Sequence, residues 1–337
     1  MFETPESYTS FVAQLVEGDE IESHLREPHR GLTMEDFESA LPPGYDTNDI
    51  SDITKAELRR LGLVGSKDDL MDSFLRCEPM IRRCVDQVLS ALPLDRQTKL
   101  ANAAFRGVVH LKSTAQTYRS PEGYYAVLIS SDLVRLLYLY ASFVEAMNFR
   151  ENLVFCSIDP DDPTPSVDLL AQSLEQIFDI VSERGFTPIV NFMFNDEGGY
   201  VVTTCYETML AFVVSHEIQH IDRGDLEPHG ALAVGNSTAK PAEDNLRTAA
   251  ELSADLDAFD FLLNRFIPHC HPNVTLDILA MTVWQFFGLL ARTGMGISDD
   301  YPHPSERFLN ICRNRIPISR SSAVWSSLVP AALAWKA

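Results

Sequence analysis

Residues 206–221 read YETMLAFVVSHEIQHI, an apolar run that ends in His216-Glu217-Ile218-Gln219-His220, and the fold turns on how this stretch is read. As a helix, it brings positions i and i+4 onto one face, so His216 and His220 can offer imidazole nitrogens to one ion while Glu217 sits about 100 degrees round. Neutral imidazoles hold zinc at about 2.0–2.1 Å, and a catalytic site keeps one position open for water. Zinc lowers the pKa of that water toward about 7, so a neighbouring carboxylate can finish deprotonating it for attack on an amide carbonyl. Glu217 is the residue expected in that role, as general base. The competing reading is two histidines that happen to flank a surface charge, and a third ligand is what separates the two.

From Asp222 to Asn245 the chain holds Gly224, Pro228, Gly230, Gly235 and Pro241, which predict a connection. A second helix is expected from about Ala242-Glu243-Asp244, carrying Glu251-Leu252-Ser253-Ala254-Asp255-Leu256-Asp257-Ala258. Glu251 and Asp255 again share a face. Glu251 can then be the third zinc ligand, while Asp255 accepts a hydrogen bond from the far nitrogen of one histidine and fixes its tautomer. Small Ala254 and Ala258 allow close packing of the two helices. Asp257 and Asp260 keep open the alternative of a solvated acidic face.

HEIQHIDRGD followed by ELSADLDA resembles the H-E-x-x-H-x-x-x-G-D and E-x-x-A-D-x-x-A motifs of gluzincin peptidases. The likeness is to the family of prenyl-protein proteases and heat-shock membrane proteases, and equally to the soluble phage-exclusion peptidases of Lit type. It is specific over residues 216–258. Tyr301-Pro302-His303-Pro304-Ser305-Glu306-Arg307 echoes the His-Pro and following arginine of these families, with a shorter gap. The resemblance implies that His303 donates a hydrogen bond to the oxyanion of the tetrahedral intermediate.

The chain has 337 residues, 45% hydrophobic and 22% charged, enough for a large buried core. Its formal charge of −21 repels phosphate backbones and anionic lipid, so neither nucleic acid nor an acidic membrane is an expected partner. The N-terminus lacks a basic segment followed by an apolar stretch, so secretion by a signal peptide is not expected. The apolar windows at 206–218, 276–291 and 323–335 are short or interrupted against the roughly 20 residues of a spanning helix. They are read as buried core helices, without membrane insertion. Cysteines at 77, 84, 156, 205, 270 and 312 form no C-x-x-C pair, and reduced thiols in a cytoplasm are expected. His269-Cys270-His271 is read as a loop after Pro268.

The domain reading is an acidic N-terminal helical wrap over 1–67 and a zinc metallopeptidase domain over 68–337, with an insertion at about 150–200. Apolar spacing from Asp68 to Phe105 predicts helix. Tyr124–Ser130 predicts a strand, followed by a helix to about Phe149 with Ser131-Asp132 as N-cap residues. A further helix is expected from Ser166 to Arg184, with Gly185 as its left-handed cap. Pro188–Phe194 and Tyr200–Thr204 flank Asn195-Asp196-Glu197-Gly198-Gly199 and predict a hairpin.

The sequence therefore predicts an α+β fold, a mostly helical zincin of gluzincin type with a small sheet. Zinc (Zn2+) is expected on His216, His220 and Glu251, with Glu217, Asp255 and His303 as catalytic residues. A protein or peptide substrate is expected to lie extended along an exposed sheet edge, either Tyr124–Ser130 or a strand of the hairpin. An activating partner, or gating by the acidic N-terminal segment, would restrain such a protease. The alternative from another class is a regulatory or protein-binding module that keeps the fold without turnover.

Overall fold

The computed structural model describes residues 77–334 apart from 109–113, 121–122, 160–161, 185–186, 188–189, 227–239, 296–300 and 320. The wrap expected at 1–67 and the cap expected at Gly185 lie outside the described residues. The described chain is mostly helical with small sheets, an α+β arrangement.

Helix α1, Glu78–Ala91, buries Ile81, Val85 and Val88 on one face. Pro93 interrupts the pattern, and the short α2, Leu94–Lys99, gives way to strand β1, Ala103–Val108. The helix expected through Phe105 therefore stops short. Each residue of β1 has a parallel partner in β3, and that pairing overrides the local apolar spacing.

Strands β2, Ala115–Arg119, and β3, Tyr125–Ser130, complete a three-stranded sheet in the order β1-β3-β2. β2 runs antiparallel to β3, with Thr117 opposite Val127. All six residues of β3 are buried, and it is paired on both sides. It cannot be the open edge expected of Tyr124–Ser130; among the described residues β1 and β2 are the outer strands of this sheet. The chain passes directly from β3 into α3, Ser131–Asn148. The cap is Ser130, one residue before the expected pair, and its hydroxyl accepts from the Leu133 amide.

The expected hairpin divides differently. β4, Leu153–Cys156, is followed by α4, Val167–Arg184, and then by β5, Phe192–Phe194, which pairs antiparallel with β4. Tyr200–Thr204 is helical, because α5 runs unbroken over Asp196–Arg223. Asn195 caps it by accepting from the Gly198 amide at 2.9 Å, while Asp196 and Glu197 complement the positive end of the helix dipole. Asn195 is itself fixed to Asn152, backbone to backbone and side chain to side chain. A Cβ on Gly198 would lie 2.8 Å from the Asn152 Cβ, so this glycine serves close approach to β4 rather than a hairpin turn.

Helix α6, Lys240–Phe261, begins slightly earlier than the sequence suggests, with Pro241 in its first turn, where a missing N–H is tolerated. It continues through a wide turn at Leu262–Phe266 into α7, Ile267–Cys270, which has Pro268 in its first turn. The loop expected after Pro268 is thus helix as far as Cys270. Helix α8, Leu276–Thr293, is capped by Thr275, and α9, Pro304–Arg315, starts at His303. A last helix, α10, Val329–Ala334, buries Ala332 but leaves Leu333 exposed, so the window 323–335 is only partly core.

Helix α5 is the axis of the molecule, packing against α1, α3, α6, α8 and β2. Phe212 meets Phe286 and Phe287 of α8 with ring centroids 5.6 Å apart in both pairs, which fixes the turn immediately before His216. No helix among the described residues is long and apolar enough to cross a membrane. None of the six cysteines is joined in a disulfide among the described residues.

Candidate metal centre

His216 and His220 leave the last turns of α5, and Glu251 leaves α6 to meet them. His216 Nε2 lies 3.1 Å from both His220 Nε2 and Glu251 Oε2, and His220 Nε2 lies 3.5 Å from Glu251 Oε1. Tetrahedral ligands at zinc-like bond lengths would stand about 3.3 Å apart, so the triangle matches the size of a metal site. All three residues are buried, and among the described residues this is the one His/Cys/Asp/Glu cluster whose ligand atoms converge closely enough to hold an ion.

Charge gives the same account. Burial would depress the His216 pKa, but the hydrogen bonds and charges of Asp255 and Glu251 outweigh it and hold the imidazole at about 10. The carboxylates around the ring therefore favour positive charge at this point. Burial likewise opposes ionisation of Glu251, yet the neighbouring histidines and Arg307 keep its pKa below the usual value.

The far nitrogen of each histidine faces a carboxylate. His216 Nδ1 lies 2.9 Å from Asp255 Oδ1, and Arg307 grips the same carboxylate with a fork, Nε to Oδ2 at 2.8 Å and Nη2 to Oδ1 at 2.7 Å. Burial would raise the Asp255 pKa, but Arg307 above all holds it down to about 2. The guanidinium also rests over the Phe287 ring, 5.2 Å from its centroid. His220 Nδ1 lies 2.9 Å from Asp225 Oδ2. Gly224 makes that contact, since its left-handed φ of 73° ends α5 and turns the chain so that Asp225 falls back on the histidine one turn earlier. Lys99 of α2 donates to the Ile221 and Asp222 carbonyls and closes the same helix end.

Glu217 stands beside the triangle at the wall of a cleft of about 340 Å³. Its Oε2 accepts a hydrogen bond from Thr117 Oγ1 of β2 at 2.6 Å. Residues 114–119 line the cleft together with Arg247, Tyr301 and Arg307.

Residues 171–328 match the family model Peptidase U49. That span includes both histidines, Glu217, Glu251, Asp255 and Arg307, and it supports a peptidase function. No curated protein and no solved structure matches the chain.

Of the residues singled out in the sequence, His216, Glu217, His220, Glu251 and Asp255 are brought together. His303 is not. It caps α9, its Nδ1 accepting from the Ser305 amide at 3.2 Å and lying 2.7 Å from Ser305 Oγ, and it is not among the cleft-lining residues. Tyr301, two positions earlier, lines the cleft, and burial together with Glu251 and Glu217 pushes its phenol up to about 12. Arg307, Asp225, Thr117 and Tyr301 escaped sequence reasoning as members of the site. The Gly224-Asp225 pair and the arginine after His303 were visible signals, whereas Thr117 is an ordinary strand residue with no signal in the sequence.

Proposed function

We propose that the chain is a zinc-dependent peptidase of gluzincin type, with His216, His220 and Glu251 as metal ligands and Glu217 as general base. The observation that carries this reading is the converging triangle of ligand atoms beside an open cleft, with Glu217 on the cleft wall. Two imidazoles and one carboxylate are a donor set suited to catalytic zinc with a position left open. When bound, zinc supplies a Lewis acid that polarises the scissile carbonyl and makes water nucleophilic near neutral pH. Glu217 takes a proton from the attacking water and returns it to the leaving amine. Asp255, clamped by Arg307, holds the His216 ring in the tautomer that leaves Nε2 free for the metal, and Asp225 does the same for His220.

The oxyanion donor in this reading is Tyr301 rather than His303. It lines the cleft and its phenol, like any tyrosine, is protonated at neutral pH, so it can donate a hydrogen bond where charge develops. A protein or peptide substrate would lie extended along β2, which borders the cleft.

The test is zinc content by elemental analysis of wild type, Glu217→Gln and Glu251→Ala, with cleavage of fluorescent casein followed in parallel. Zinc in wild type and Glu217→Gln, less in Glu251→Ala, and cleavage by wild type alone are expected. Wild type purified from zinc-replete cells without bound zinc would sink the reading. Stoichiometric zinc with no cleavage would turn it toward the binding module.

A further inference from the structure

The carboxylate of Glu217 has one hydrogen bond among the described residues, and it comes from the sheet. Thr117 Oγ1 donates to Oε2 at 2.6 Å, while the Glu217 carbonyl, at 3.5 Å from the same hydroxyl, is peripheral. Both side chains are nearly buried, Thr117 and Glu217 each 7% exposed. The last torsion of a glutamate is broad and roughly two-fold, so an unheld carboxylate would sweep its oxygens past the reacting water instead of presenting one. Threonine is a stiff anchor, because its branched Cβ restricts χ1. Thr117 sits in the middle of β2, held opposite Val127 of the central strand.

We infer that Thr117 is a positioning residue for the general base: it ties Oε2 of Glu217 to the strand that borders the cleft and leaves Oε1 for the attacking water. This rests on the peptidase reading of the site. It goes further by giving β2 a second task. A substrate lying along β2 in the cleft would be registered against the same backbone that anchors the base, so one strand would set the scissile bond and the carboxylate relative to each other. The family match begins after β2, and nothing in that match assigns Thr117 a role.

The experiment compares zinc-loaded wild type, Thr117→Val, Thr117→Ser and Glu217→Gln. Casein cleavage is resolved into kcat and KM, and binding of acetohydroxamate is measured by calorimetry. This small chelator takes the metal through its oxygens and shares a proton with the neighbouring carboxylate. Valine keeps the shape of threonine and removes the donor. Loss of a hydrogen bond to a charged group predicts a fall in kcat of about 10- to 100-fold for Thr117→Val with KM nearly unchanged, and acetohydroxamate binding weakened about tenfold. Thr117→Ser restores both, and zinc content and melting temperature stay at wild-type values in all four. Normal kcat and acetohydroxamate affinity in Thr117→Val, beside impaired Glu217→Gln, would overturn the positioning role and leave the peptidase reading intact. Loss of zinc or of folding in both Thr117 variants would overturn it in favour of a structural role. A wild type that neither keeps zinc nor binds acetohydroxamate removes the peptidase reading, and this inference with it.

Discussion

Helix α5 buries two carboxylates, Glu207 and Glu217, in opposite kinds of surroundings. Glu217 meets a neutral donor, Thr117, and looks onto the cleft. Glu207 is buried beside two basic side chains: Arg83 Nε lies 2.9 Å from Oε1, and His271 Nε2 lies 3.4 Å from Oε2. Those approaches are close enough for attraction but not aligned as hydrogen bonds, since among the described residues neither carboxylate oxygen of Glu207 and neither ring nitrogen of His271 has a hydrogen-bond partner. The Cys84 thiol beside them is pushed well above its usual pKa by burial and then by Glu207. The same side chain on the same helix therefore looks onto a cleft at Glu217 and is closed off beside basic groups at Glu207. Burial alone does not single out a candidate for proton transfer.

The comparison breaks most sharply with Glu217→Gln. Peptide hydrolysis should fall by about 10²- to 10⁴-fold, the range of general acid–base catalysis, with melting temperature and zinc content unchanged. Glu207 should behave in reverse. Glu207→Leu leaves the buried His271 ring against an apolar side chain while the largely exposed Arg83 can turn to water, and it should destabilise by about 1–3 kcal/mol, read by urea unfolding, with zinc per folded chain preserved. Adding His271→Leu should recover much of that loss, because a paired apolar replacement removes the orphaned group. A double variant no more stable than the single one would mean that Arg83 alone balances Glu207.

Smaller effects sharpen the picture around the histidines. Asp255→Asn keeps the shape but weakens the hold on His216, and zinc affinity should drop by about 10- to 100-fold in a competition titration with a chromogenic chelator. Gly224→Ala forces a side chain into the left-handed region, with an expected loss of about 1–2 kcal/mol. Thermal unfolding would measure that loss. The accompanying zinc affinity reports whether Asp225 has swung away from His220.

The parts of the molecule legible in sequence are those whose periodicity and burial agree. Tyr125–Ser130 and the helix after it carry their own signals, as does the helix over Val167–Arg184. The converging trio of His216, His220 and Glu251 was legible because helical spacing is rigid: two residues four apart define a face wherever the helix goes. Tyr200–Thr204 was misread because Tyr, Val and Thr favour strands locally, whereas here they lie inside a long helix that starts at an asparagine cap tied to β4. Strands β1 and β2 were missed for the opposite reason, since Ala, Gln, Arg and Gly carry little strand preference and their pairing with β3 comes from distant residues. Thr117 and Tyr301 could not be assigned for the same cause: each matters through what stands opposite it in space.

Arg307 also orders events in time. The two histidines are translated first and Glu251 next, but the fork that clamps Asp255 behind His216, and Tyr301 on the cleft wall, come only with the segment that leads into α9. A ribosome-bound chain that has released everything up to α8 thus owns a ligand set without its clamp. On the reading proposed above, the His216 ring would stay loosely held until the segment leading into α9 had folded against Asp255.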